Sequence, residues 1–105
     1  MHIPATSRQY LIVPAGLLDA RPPDDPVDLA ITDPAAEPAA WLPLEWLTTP
    51  AGRVLGPGIL VGPGAGYGST RLPPGESVLW VREHCSDGTT PVLPWTRLRV
   101  GGAAA

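Results

Sequence analysis

The sequence predicts an all-β fold. Three observations carry this. Fifteen prolines and twelve glycines leave almost no window of about a dozen residues in which a helix could run unbroken. Runs of β-forming apolar residues stand between these breakers at roughly ten-residue spacing. Several of the runs alternate apolar and polar residues with a period of two, as a half-buried strand does.

The first strand is expected within 8–14, where Tyr10, Leu11, Ile12 and Val13 lead into Pro14. The stretch 14–26 is a loop, because Pro22, Pro23, Asp24, Asp25 and Pro26 suit no regular element. Residues 27–32 alternate most cleanly, with Val27, Leu29 and Ile31 on one face and Asp28, Ala30 and Thr32 on the other. A Pro/Ala connector spans 33–40. Over 41–48, Leu42, Leu44 and Trp46 share a face opposite Pro43 and Glu45. The proline there suggests an edge strand, or one beginning at Leu44.

Residues 53–55 and 59–61 read as one strand interrupted by Gly56-Pro57-Gly58, a bulge or a kink. The stretch 62–75 is a long glycine-rich loop. Residues 77–83 and 91–100 form the last two strands, joined around Asp87-Gly88, the strongest turn signal in the chain. The 105 residues thus make a single all-β domain over 1–100, with 101–105 as a flexible tail. Six to seven short antiparallel strands with long Pro/Gly loops predict a small Ig-like β-sandwich.

Pairing the last two strands about their turn brings Trp80 close to Trp95. Leu79 and Val81 then share the core side with Leu98 and Val100. The opposite face carries Trp80, Arg82, Trp95, Arg97 and Arg99. Two Trp and three Arg on one outer face are the composition of a protein–protein contact. The competing reading is a register off by one, with the tryptophans in the core. Tyr67 in the glycine loop, and Asp24 and Asp25 in the acidic loop, are further candidates for contact with neighbours.

Catalytic chemistry finds little support. The chain has a net charge of −3, and all seven basic residues are Arg. That balance argues against a basic nucleic-acid footprint. Without lysine there is no phosphate-loop lysine, Schiff base or Ser-Lys pair. Residues 62–68 look like a phosphate-binding loop only in their glycine content, since no lysine or helical pattern follows. Cys85 is the only cysteine and can form no internal disulfide. With His84 it falls short of the four N/S ligands that zinc requires, and no serine sits in a nucleophile motif. No cofactor, metal or catalytic residue is expected. No apolar stretch is long enough to span a membrane, and 1–15 show no signal-peptide core.

The order of features resembles a group of small proteins encoded among the virion structural genes of actinobacterial tailed phages and prophages. The shared pieces are a strand like Gln9-Tyr10-Leu11-Ile12-Val13-Pro14, an Asp/Pro-rich turn, a strand like Val27-Asp28-Leu29-Ala30-Ile31, and a segment with Trp, here Trp41 and Trp46. Leu60-Val61-Gly62-Pro63-Gly64 is similar to the group's Leu-Val-Gly-Pro-Gly. Ser77-Val78-Leu79-Trp80-Val81-Arg82 is similar to its Tyr-x-Val-Trp-Val-Arg. Asp87 to Val92 then follows the group's turn into its last strand. The sequence departs from the pattern at Gly56-Pro57-Gly58 and in lacking Asp-x-Pro-Glu at that turn. The absence of Lys, Asn and Phe, all with AT-rich codons, agrees with a GC-rich source.

The resemblance implies an Ig-like virion structural protein without enzymatic activity, a head-to-tail connector (neck or adaptor) component. The alternatives it leaves are a capsid decoration protein or a tail-tip, host-surface carbohydrate-binding module. It implies several copies in a ring, and contacts with portal, connector, capsid or tail subunits but not with nucleic acid or membrane. It also implies a location in the virion after assembly in the bacterial host cytoplasm.

Overall fold

A computed structural model describes residues 1–4, 7–22, 24–62 and 75–101. Among them are eight strands and one 3-10 turn: β1 (His2–Ile3), β2 (Gln9–Ile12), the turn Ala15–Leu17, β3 (Val27–Thr32), β4 (Leu42–Pro43), β5 (Glu45–Thr48), β6 (Val54–Val61), β7 (Gly75–Glu83) and β8 (Val92–Val100). No described residue is α-helical. The strands form two sheets. One has the order β1-β8-β7-β3-β4, the other β2-β6-β5.

This is a β-sandwich with immunoglobulin-like strand order. Lettered that way, β8, β7, β3 and β4 stand as G, F, C and C′, and β2, β6 and β5 as B, E and D. All pairings are antiparallel except one. β1 runs parallel to β8, His2 beside Arg99 and Ile3 beside Val100. The sequence reading missed β1, because two residues carry no periodicity. Its Ile3 is nonetheless fully buried.

The core lies between the sheets. Leu29, Leu79, Leu98, Val100 and Ile3 of the larger sheet meet Leu11 and Val61 of the smaller one. A second cluster, Val13, Ala20, Val27 and Val81, extends it under the 14–26 loop. Antibody domains tie strands B and F with a disulfide. Here the corresponding β2 and β7 meet through apolar packing, with Leu11 and Leu79 in one cluster.

Two local readings are refined. The 41–48 stretch is not one strand. Its first half pairs with β3 and its second with β6, so the chain changes sheets at Leu44. The Leu44 amide donates to the Val27 carbonyl at 2.9 Å, and its side chain packs on both core clusters. Gly56-Pro57-Gly58 does not interrupt β6, which runs unbroken through it. The irregularity falls one residue earlier, where Leu47 faces Gly56 but Thr48 faces Val54. Glycine is required at 56 for two reasons. Its φ is +144°, and a Cβ there would run into the Val13 carbonyl.

Candidate functional site

The outer face of the five-stranded sheet concentrates the polar and aromatic groups. Register dictates which side chains meet. β3 and β7 set Asp28 opposite Arg82, Ala30 opposite Trp80 and Thr32 opposite Val78. All six project away from the core, because Leu29, Leu79 and Val81 between them project into it.

Arg82 donates from Nε (3.1 Å) and Nη2 (2.8 Å) to Oδ2 of Asp28. His84, two residues on, places Nε2 2.7 Å from the same oxygen. A carboxylate oxygen only accepts, so Nε2 carries the proton in this contact. Burial pushes the Asp28 carboxyl up, but the hydrogen bonds and charges of His84 and Arg82 outweigh it. The group is held below its ordinary value of 3.8.

Trp41, one residue before β4, stacks on the Arg82 guanidinium at 4.5 Å from the ring centroid. Trp80 donates its indole N–H to Thr32 Oγ1 at 3.0 Å, which fixes the ring over β3. Ala30, directly across from Trp80, is only 1% exposed although it faces outward. Trp41, Trp80, Arg82, Val92, Glu37 and Pro38 together line an open cleft of about 380 Å³.

Four of the five residues expected on this face are there. Arg97 pairs with Val78 and Arg99 with Glu76, and both arginines are exposed, alongside Trp80 and Arg82. Trp95 is a correction. Leu79 pairs with Thr96 but Trp80 with Pro94, so Trp95 is the extra residue of a β-bulge. The bulge turns its ring inward against both core clusters. Turn chemistry gave the register of the distal half of the hairpin correctly, but nothing in the residue types marked the bulge.

The acidic-loop candidates divide. Asp24 is exposed, whereas Asp25 is buried. Asp25 accepts from the Arg21 amide on Oδ2 (2.9 Å), and its carbonyl accepts the Trp46 indole N–H (2.9 Å). It braces its own loop and is not placed to meet a neighbour. Tyr67 lies outside the described residues.

The sequence reading missed Glu83. Its side chain is 1% exposed, and Oε1 accepts the amides of Asp19 (2.8 Å) and Ala20 (2.7 Å). Glu83 continues the inward alternation of Ser77, Leu79 and Val81. That parity was the available signal, overridden by the rule that carboxylates face water.

Around the β7–β8 turn, Asp87 Oδ1 accepts from the Thr89 amide (2.9 Å) and hydroxyl (2.6 Å). Those bonds hold its carboxyl below the ordinary range. Among the described residues no group of three or more His, Cys, Asp or Glu is placed to hold a metal ion. No protein-family model, curated protein or solved structure matches the chain.

Proposed function

We propose that this chain is a virion structural protein of a tailed phage, a head-to-tail connector component that works by protein contacts rather than by catalysis. The observation that carries the reading is the outer face of the five-stranded sheet. There Trp80, Trp41 and Arg82 are held in fixed orientations by Thr32 and Asp28, with Arg97 and Arg99 exposed beside them. Aromatic and arginine side chains already locked in place lose little entropy on contact, which is what a joint built from repeated copies needs. The motif resemblance at residues 9–14, 60–64 and 77–82 supplies the virion context.

The carbohydrate-binding alternative would use Trp41, Trp46 and Tyr67 as stacking platforms; of these, Trp46 is half-buried with its N–H on the Asp25 carbonyl, which disfavours it as an open platform. Immunogold labelling of purified particles with an antibody to this chain tests the proposal. Label confined to the head–tail junction is the expected result. Label over the head would move the protein to capsid decoration, and label at the tail tip to host-surface binding. Absence from every particle would end the virion reading.

A further inference from the structure

We infer that the lane beside β2, over the start of β8, is a strand-addition site, and that its occupant is an extended segment of a partner protein with large apolar residues at alternate positions. The lane is separate from the outer face of the five-stranded sheet, and the inference stands whether or not the chain belongs to a virion.

Two independent observations meet in this lane. The first is an inner-face side chain that is not covered. Leu93 stands directly opposite Val81 and so shares its face, yet Val81 is 2% exposed and Leu93 45%. The cause is an overhang. β2 lies over β7, since Leu11 packs with Leu79 and Val13 with Val81, and β8 and β1 continue the larger sheet past it. Ile3 fills the far end of the overhang, in one cluster with Leu98 and Val100. The near end, over Leu93 and Trp95, is an apolar hollow of about 260 Å³ flanked by Leu17 and Leu18.

The second observation is in the backbone. The Val13 amide donates to the Pro57 carbonyl at 2.8 Å, and Leu11 stands opposite Ile59 in the same ladder. Alternate residues of β2 therefore bond towards β6, and Tyr10 and Ile12 direct their amides and carbonyls away from it. β2 ends its sheet. Two other edges are blunted. β4 holds Pro43, and β8, beyond the two residues that β1 covers, holds Pro94 and the bulge. β2, Gln9-Tyr10-Leu11-Ile12, carries neither proline nor charge.

An edge that offers main-chain bonds, beside a pocket that reads alternate side chains, has the two parts of a strand-addition site. Every residue lining the hollow is apolar, so the occupant must present large apolar side chains on that face. This chain does not supply such a segment. Two copies cannot join β2 to β2, because the overhanging β8 and β1 of each would meet before the edges do. Residues 63–74 and 102–105 contain no two aromatic, Leu, Ile, Val or Met residues spaced two apart. The occupant is therefore a free extended segment of another protein.

The test titrates the full chain with a capped synthetic peptide that alternates leucine with serine, followed by NMR. The Trp95 indole resonance should shift saturably. The Tyr10 and Ile12 amides should gain protection from hydrogen exchange, while those of Leu11 and Val13, already bonded to β6, should keep theirs. Leu93→Asp and Leu17→Asp replace exposed side chains. Each should fold normally and bind the peptide at least about tenfold more weakly. A peptide of the same composition with its leucines consecutive should also bind at least about tenfold more weakly. Equal binding of the two peptides would overturn the inference, as would no binding at about 1 mM peptide. Protection of Tyr10 and Ile12 in the free monomer would mean that the chain fills its own lane, and would overturn it too. Self-association that protects the same two amides would give the lane to a second copy and overturn the choice of partner.

Discussion

Asp28 and Arg82 stand directly opposite each other across β3 and β7, and one carboxylate oxygen takes both Arg82 donors and His84. The Asp28 side chain is 14% exposed and that of Arg82 31%, so solvent weakens this network less than an open surface pair. Asp28→Asn should cost about 1–3 kcal/mol, the range for hydrogen bonds to charged groups. Acid should erase the difference. Asp28 titrates below its ordinary 3.8 in the folded state, so its contribution is complete above that pH and is lost as pH falls through the folded value. Urea melts of wild type and Asp28→Asn at stepped pH should therefore diverge at neutral pH and converge below about pH 4. Parallel curves down to the acid limit would show that the carboxylate contributes nothing by its charge.

Glu83 is the anchor of the 14–26 loop. Glu83→Ala leaves the Asp19 and Ala20 amides without their acceptor. It should cost about 2–6 kcal/mol, one to three for each stranded donor. Glu83→Gln retains an oxygen able to accept both and should cost less. Hydrogen exchange discriminates a local effect from a global one. The Asp19 and Ala20 amides should lose protection well before those of β7 in the glutamine variant.

What the sequence made legible was periodicity. Alternation over 27–32 and 77–83 placed Leu29, Leu79 and Val81 in the core and Asp28 and Arg82 outside, and so made half of the candidate site readable. The Asp28–Arg82 pairing itself was not readable, because it needs β3 beside β7, forty-two residues of intervening chain away. Trp41 was invisible as a stacking partner for the same reason. The Trp95 bulge and the buried carboxylate of Glu83 failed differently. Each breaks a local rule because a tertiary contact outweighs it, and a single sequence records the rule but not the contact.

Gly56 should be the least replaceable glycine among the described residues of β6. Gly56→Ala meets both a positive φ and the Val13 carbonyl. Backbone strain and overpacking together predict a loss of at least about 2 kcal/mol. Gly52 provides the control. Its φ is +86° but nothing lies within 4 Å of an added Cβ, so Gly52→Ala should cost only about 1 kcal/mol, the conformational part alone. Thermal melts of the two variants separate crowding from φ strain. Equal losses would mean that β2 and the Ala15 turn move aside freely.

Trp95 and the two outer arginines of β8 should separate stability from recognition. Trp95 packs on both core clusters and lines an apolar hollow with Val13, Leu18 and Val81. Trp95→Ala should lower stability by about 2–4 kcal/mol, as large-to-small core changes do. Arg97 and Arg99 are exposed on the outer face, so replacing either by alanine should change stability by no more than about 0.5 kcal/mol. If the outer face is a joint between subunits, the ranking reverses in assembly. Arg97→Ala and Arg99→Ala chains should fold normally in denaturant titrations yet be incorporated poorly into particles. Trp95→Ala should be incorporated only in proportion to the fraction that remains folded. Arginine variants incorporated like wild type would remove these two side chains from the contact surface and leave Trp41, Trp80 and Arg82 as its remaining candidates.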